Sequence, residues 1–362
     1  MDELSLAAGD ASRPAVALSV LDLAVVADGS GVRRALTESI ALAQSAERLG
    51  YRRFWVAEHH NMPGIASSAT AVLMGHIADA TTTLRVGSGG IMLPNQAPLV
   101  VAEQFGTLEA LHPGRIDLGI GRAPGTDQVT ALALRRSPDA LTADDFPQQL
   151  GELLAFFSGT FPEGHPFRQI TAVPGYEDQP EIWLLGSSGF SAQLAGLLGL
   201  PFSFAHHFSA GNTLPALALY RSNFRPSATL SRPRVMVAVS VICADTDEQA
   251  QWLAGPSRLA FVRLRSGRPG RLPTPEEAAA YRYSAQEQLI IDGRTTGSII
   301  GAPDTVRAGL ETLIEETQAD ELMITAMIHG YGDRLRSYEM VADMAGGHRR
   351  AAPSRVEPQP TV

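Results

Sequence analysis

Between residues 54 and 63 the apolar run Phe54-Trp55-Val56-Ala57 passes directly into Glu58-His59-His60-Asn61. Four apolar residues, two of them aromatic, have the make-up of a short buried strand. A strand ending in a carboxylate, two imidazoles and an amide is unusual as a purely structural element. Those groups shuttle protons, ligate metals or hold polar ligands. Adjacent side chains on extended backbone point to opposite sides, so only one of His59 and His60 can face a common site. The plain alternative is a surface loop that carries two histidines.

Three further stretches carry chemistry. Ser88-Gly89-Gly90 precedes Ile91-Met92-Leu93. Paired glycines permit close backbone approach by a flat ligand or an unusual peptide geometry, and the apolar residues after them suit an aromatic ring system. A β-bulge would use the same residues. Gly186-Ser187-Ser188-Gly189-Phe190-Ser191 opens a helix, whose free N–H groups and dipole attract an anion, with Ser188 and Ser191 able to add hydroxyl donors. Simple N-capping is the competing use. Arg122 lies in the Gly/Pro-rich segment 121–127; its planar fork suits a phosphate, and solvent exposure is the ordinary alternative. Together Arg122 and the serine-rich helix start describe a phosphate clamp, without a Walker loop or a GxGxxG fingerprint. A second pair, His206-His207, raises the alternative of zinc held by two imidazoles and Glu58. No further ligand cluster is visible, and no metal is expected.

These residues need a frame. Strand patterns cover 15–21, 54–57, 84–88, 115–120, 182–185, 202–205, 235–243 and 321–325, and helical patterns cover 32–49, 68–80, 98–111, 147–158, 191–198, 214–224, 304–317 and 334–345. Eight alternating strand–helix units predict parallel strands closed into a (β/α)8 TIM barrel with insertions. A doubly wound open sheet is the competing arrangement. Segment 122–146 reads as a long polar loop, and 247–292 as a lid-like insertion before the last βα unit. Residues 1–13 and 347–362 read as flexible tails around a barrel domain spanning 14–346. In this frame Glu58–Asn61, Ser88–Gly90, Arg122, Gly186–Ser191 and His206-His207 all follow strands, at the rim where barrel enzymes build their sites. The segments preceding the strands hold ordinary turn residues, such as Gly50, Thr81–Thr83, Gly114 and Pro201.

Composition excludes several classes. With 362 residues, 44% hydrophobic and 19% charged, the chain can bury a sizeable core. A net charge of -9 argues against nucleic acid as a main partner. The one cysteine, Cys243, rules out a disulfide framework and reads as a buried core thiol, in keeping with a reducing cytoplasm. The acidic N-terminal segment does not read as a signal peptide, and no apolar run is long enough to span a bilayer.

The segments FWVAEHHN, RVGSGGIMLPNQAP, HPGRIDLGIGRAPGTD, LLGSSGFSAQLAGLLGLPFSFAHH and DELMITAMIHGYGDRLRSYEMVADM resemble the bacterial luciferase-like monooxygenase superfamily, most closely its single-chain alkanal-monooxygenase-like branch. The resemblance implies a TIM barrel and a monooxygenase that uses reduced FMN and O2, through a C4a-peroxyflavin, to oxidise a small organic substrate. It also implies a separate NAD(P)H:flavin reductase and a homodimer. It assigns His59 as the catalytic histidine, with Glu58 or Asn61 orienting it. Arg122, Ser188 and Ser191 match residues that hold the FMN phosphate, Ser187 a backbone contact to the flavin, and Gly89-Gly90 a non-prolyl cis peptide beneath the isoalloxazine. Ser88 and Gly189 belong to the same flavin-binding segments. Gly121 stands where luciferase has a reactive cysteine and His206 where it has a tryptophan; both departures point to a substrate other than a long-chain aldehyde. The rival readings are an F420-dependent hydride-transfer oxidoreductase on the same barrel, a flavin-binding protein without catalysis, and a zinc hydrolase.

Overall fold

A computed structural model describes residues 3–6, 15–136 and 145–346. Its strands are β1 (Ser5–Leu6), β2 (Val16–Asp22), β3 (Arg53–Val56), β4 (Arg85–Ser88), β5 (Ile91–Met92), β6 (Ile116–Gly121), β7 (Glu181–Gly186), β8 (Phe202–Ala205), β9 (Val235–Cys243), β10 (Ser298–Gly301) and β11 (Glu321–Thr325). The helices are α1 (Val32–Leu49), α2 (Thr70–Ala80), α3 (Pro98–Leu111), α4 (Gln128–Arg135), α5 (Phe146–Ser158), α6 (Gly189–Leu198), α7 (Thr213–Asn223), α8 (Asp247–Arg265), α9 (Pro275–Ala280), α10 (Ala285–Thr295), α11 (Pro303–Thr317) and α12 (Tyr331–Met344).

Strands such as β9, VMVAVSVIC, are apolar along nearly their whole length because both faces are covered. Parallel pairing runs β2–β3–β4–β6–β7–β8–β9–β11, and β11 pairs back to β2, so the sheet closes as a (β/α)8 barrel, as expected, and the open sheet does not occur. The surrounding helices turn apolar stripes inward. In α1, Leu42, Ala46 and Leu49 are buried at helical spacing, and the helix stops at Gly50, whose φ of 84° is a backbone state glycine adopts freely. Cys243 is buried in the main core, as expected, and burial pushes its thiol up to about 11.

Three strands escaped the sequence reading. β10 adds parallel to β9 outside the barrel, β5 rejoins β6 after a break in β4, and β1 pairs antiparallel with β2. Within the stretch expected as an N-terminal tail, Leu4 and Leu6 are therefore buried; tail residues 1–2, 7–13 and 347–362 lie outside the described residues. Segment 122–146 is not simply a polar loop: it contains α4, whose N-cap Asp127 accepts the Thr130 N–H at 3.0 Å, while 137–144 lie outside the described residues. The insertion 247–292 is mostly helical.

The amino ends of the strands differ most from expectation. The expected turns are there, Gly50 and Gly114 both at positive φ, but the strand residues that follow them carry a buried ionic network that was not expected. Arg53, fully buried, pairs with Asp117 at 2.8 Å and Glu321 at 3.0 Å. Arg85 joins Asp117 at 2.5 Å and Glu181 at 3.0 Å, and Arg234 joins Glu181 at 2.8 Å. Trp55 donates its indole N–H to Asp117 at 2.8 Å. Above this network a small inner core of Leu21, Trp55, Trp183, Met236 and Met323 fills the barrel, with the two indoles edge to face at 5.7 Å. The site lies on that core, at the carboxyl ends.

Candidate active site

A cavity of about 340 Å³ opens at the carboxyl ends of the strands. His59, just past β3, lines it. Its Nδ1 is buried and finds no hydrogen-bond partner, although part of the ring opens into the cavity. Burial, reinforced by nearby His60, lowers the His59 pKa to about 4, so the ring is neutral at pH 7. His60 does not line the cavity. Its Nε2 lies 3.0 Å from Glu58 Oε1, and the other Glu58 oxygen accepts the Met92 N–H at 3.2 Å. Burial raises the Glu58 pKa, and His60 and the Met92 N–H partly offset it. Asn61 donates to Asp127 at 2.9 Å. Neither Glu58 nor Asn61 orients His59, contrary to expectation; both instead brace the loop, Glu58 against β5 and Asn61 against the start of α4. The second pair divides in the same way: His207 lines the cavity, while His206 turns out to Thr213 at 2.8 Å.

The peptide between Gly89 and Gly90 is cis and borders the cavity. A side chain at Gly90 would meet the Gly119 carbonyl at 2.8 Å, which is backbone and cannot yield, and one at Gly89 would meet the end of the Leu21 side chain at 2.6 Å, which would have to move aside. Ser88 stands behind it, outside the cavity lining. Its hydroxyl donates to the Gly119 carbonyl and accepts the Gly119 N–H, both at 2.9 Å, filling the ladder gap between β4 and β5.

Arg122, just past β6, and Ser187, Ser188 and Ser191, just past β7, also line the cavity. The Arg122 guanidinium is half-buried and stacks 4.3 Å over the Phe190 ring, so it is not a solvated surface arginine. Ser188 occupies the N-cap of α6, yet its side chain makes no capping bond. The N-capping alternative therefore does not account for it, and the first N–H groups of α6 remain without a side-chain cap. Gly189 starts the helix behind these residues and is not part of the lining. Gly121, the site of one departure from the luciferase pattern, has the Met92 thioether 3.0 Å from where a side chain would begin.

Other walls were not singled out from sequence. Phe261 and Leu264 of α8, with Pro269, Gly270 and Leu272 after it, cover the mouth, as a lid-like insertion should. That strap is stitched down: Leu272 donates to the Val26 carbonyl at 3.0 Å, and Asp28 to the Leu272 carbonyl at 2.8 Å. Ser203, Ser240 and Thr325 contribute hydroxyls from β8, β9 and β11. A hydroxyl at an inward position near the carboxyl end of an otherwise apolar strand was the available signal. Among the described residues, no three His, Cys, Asp or Glu side chains come together as a metal site.

The sequence model of the luciferase-like monooxygenase family matches residues 16–321. YvbT from Bacillus subtilis (strain 168) is 52% identical over 327 residues, which is 90% of this chain and 96% of its own length. A luciferase-like monooxygenase from Escherichia coli (strain K12) is 49% identical over 329 residues, 91% of this chain and 97% of its own. Among solved structures, apo-MsnO8 superposes with a TM-score of 0.83 at 39% identity, covering 92% of this chain and 98% of its own. The chain belongs to the luciferase-like monooxygenase family.

Proposed function

We propose that the chain is a monooxygenase that consumes reduced FMN and O2, transferring one oxygen atom to a small organic substrate and reducing the other to water. The observation that carries this reading is the assembly of three features in one cavity: the Arg122 and serine group, the glycine floor and the buried, unpartnered imidazole of His59. The residues fit a flavin mononucleotide. Arg122 and the uncapped start of α6, with Ser187, Ser188 and Ser191, would hold its phosphate. Gly89-Gly90 would support the flat ring with bare backbone, at a point where Gly90 has no room for a side chain. Reduced flavin, when bound, supplies the two electrons and the reaction with O2. The protein's part is to bind and orient it, to exclude water beneath the 266–272 strap, and to hold a proton acceptor at His59. That ring is neutral at pH 7, so one nitrogen can accept a proton and the other can donate one.

Relatives support oxygenase chemistry. An N-acetyl-S-alkylcysteine monooxygenase from Bacillus subtilis (strain 168) is 34% identical over 336 residues. The oxygenating constituent of a diketocamphane monooxygenase, solved in complex with FMN, shares the fold at a TM-score of 0.67 and 20% identity. An F420-dependent secondary alcohol dehydrogenase shares it at 0.66 and 14%, so F420-dependent hydride transfer is the second reading. Anaerobic mixing with reduced FMN or reduced F420, followed by O2, separates them. Oxygen uptake coupled to product only with reduced FMN is expected; turnover with F420 alone would sink the proposal, and flavin binding without product would reduce the chain to a carrier. A separate NAD(P)H:flavin reductase as electron source, a cytoplasmic location and a homodimer complete the reading. Val72 on α2 and Val100 and Leu111 on α3 are exposed apolar residues available to a second copy, and light scattering of the purified chain reads the mass.

A further inference from the structure

The mouth of the cavity is covered by the most basic stretch of an acidic chain. Residues 258–271, RLAFVRLRSGRPGR, hold five arginines and no carboxylate, in a chain of net charge -9. Leu264, Pro269, Gly270 and Leu272 line the cavity. Arg265, Arg268 and Arg271 are their immediate neighbours in sequence, and all three are exposed. Three of the five arginines have partners. Arg263 pairs with Glu277 at 2.5 Å, and Arg271 donates to the Ser30 carbonyl at 2.9 Å. Arg258, half-buried, donates to Gln251 and lines a small pocket that shares Ser240, Ser257 and Phe261 with the cavity. The side chains of Arg265 and Arg268 make no hydrogen bond or ion pair among the described residues. Glu287, held by Ser284 and Tyr281, feels the charge of Arg268 without bonding to it. Like charges this close repel one another, and here no interleaved carboxylate offsets the repulsion.

We propose that Arg265 and Arg268, backed by Arg258 and Arg271, form an electrostatic entry for the phosphate of the flavin, drawing the anion to the mouth before Arg122 takes it inside. The inference rests on the proposed function in taking reduced FMN as the ligand. A chain of net charge -9 repels a phosphate dianion at long range. A cluster of cations at the mouth of a cleft reverses the sign of the potential there, and such steering raises association rates by about 10–10³-fold. The division of labour follows from position. Arg122 lies in the lining and acts on the bound flavin, so it governs departure. Arg265 and Arg268 lie outside the lining and act on the approaching flavin, so they govern arrival and its dependence on salt.

The test is anaerobic stopped-flow binding of photoreduced FMN and photoreduced riboflavin to the full chain. Quenching of tryptophan fluorescence follows it, since Trp55 lines the cavity. Raising salt from about 0.01 M to about 1 M shortens the screening length from about 30 Å to about 3 Å. Over that range the FMN on-rate is expected to fall about tenfold or more, and the riboflavin on-rate to stay constant. The double variant Arg265→Gln/Arg268→Gln is expected to lower the FMN on-rate about three- to tenfold at low salt and to leave its off-rate unchanged. Arg265→Lys/Arg268→Lys, which keeps the charge, is expected to match the wild type, and Arg265→Glu/Arg268→Glu to be slower than the Gln pair. An equal loss for riboflavin, or a Lys pair as slow as the Gln pair, would make the two arginines structural and overturn the inference. FMN that binds with an on-rate indifferent to salt and to these charges overturns the inference and leaves the proposed function standing. FMN that does not bind the wild-type chain at equilibrium overturns both.

Discussion

His59 and His60 are chemically identical neighbours with opposite fates, set by which side of the chain each faces. His59→Ala is expected to lower single-turnover product yield about 10²–10⁴-fold while FMN affinity and melting temperature change little, as removal of an acid–base group should. His60→Ala, acting through Glu58 and its loop, is expected to be milder. A larger loss from His60→Ala would reverse the assignment. The pH dependence follows from burial. Folded His59 titrates near 4, whereas the unfolded ring titrates near 6.5. Between those values the unfolded chain binds a proton that the folded chain does not, so this residue's contribution is intact above pH 6.5 and is lost on acidification toward 4. The slope approaches about 1.4 kcal/mol per pH unit. Denaturant midpoints of wild type and His59→Gln across that window measure it, and a curve that His59→Gln does not flatten would contradict the buried neutral ring. Arg122→Ala is expected to weaken FMN about tenfold or more and leave riboflavin nearly untouched; equal loss for both would remove Arg122 from the phosphate. At this scale the rim residues were legible because catalytic residue types stood at strand ends. The orientation of His59 was not, because the partners of Glu58 and Asn61 come from β5 and α4, which no local pattern announces.

The strap after α8 is an element whose position depends on one of two facing glycines. A side chain at Gly64 would run into the Gly270 carbonyl, whereas one at Gly270 meets nothing within 4 Å. The same change on the two sides of the seam should therefore have different outcomes. Gly64→Ala is expected to speed amide exchange at Leu272 and Asp28 and to raise KM, and Gly270→Ala to do neither. Similar exchange in both variants would show that the strap is not held by this close approach. The elements themselves were largely readable, since parallel barrel strands are covered on both faces and become continuous apolar runs. β10 was not, because it pairs only with β9 outside the barrel and its residues are half-buried, and α4 was hidden in a polar segment whose only announcement was Asp127.

For the molecule as a whole, the two ends of the barrel divide charge between them. Among the described residues, the carboxyl end presents one charged side chain to the cavity lining, and the amino end holds three arginines against three carboxylates, all partly or wholly buried. Breaking such a set by removing one partner leaves buried charges uncompensated. Arg53→Met is expected to lower stability by about 3–5 kcal/mol, read from denaturant unfolding, with turnover per folded molecule unchanged. An unaltered midpoint would show that water or other partners already satisfy Asp117 and Glu321. Burial alone would raise the Asp117 pKa, but Arg53 and Arg85 outweigh it and hold the carboxyl below the usual range. Its contribution is thus present above about pH 4 and is lost on further acidification.

The distances along the chain within that network bear on how the protein is made. Arg53 shares Glu321 with Ser19, and these partners are 268 and 302 residues apart in sequence. β11, which begins at Glu321, is also the strand that joins β9 to β2. A nascent chain emerging amino end first can assemble the early βα units, but its barrel stays open, with Arg53 lacking one of its three carboxylates, until residues 321–325 have been made. Completion then pairs both edges of the sheet and supplies the missing charge in a single docking event. The last barrel strand therefore serves as a check on the chain: a product truncated before residue 321 has neither a closed barrel nor a satisfied core cation, and presents two open strand edges to the machinery that clears incomplete proteins.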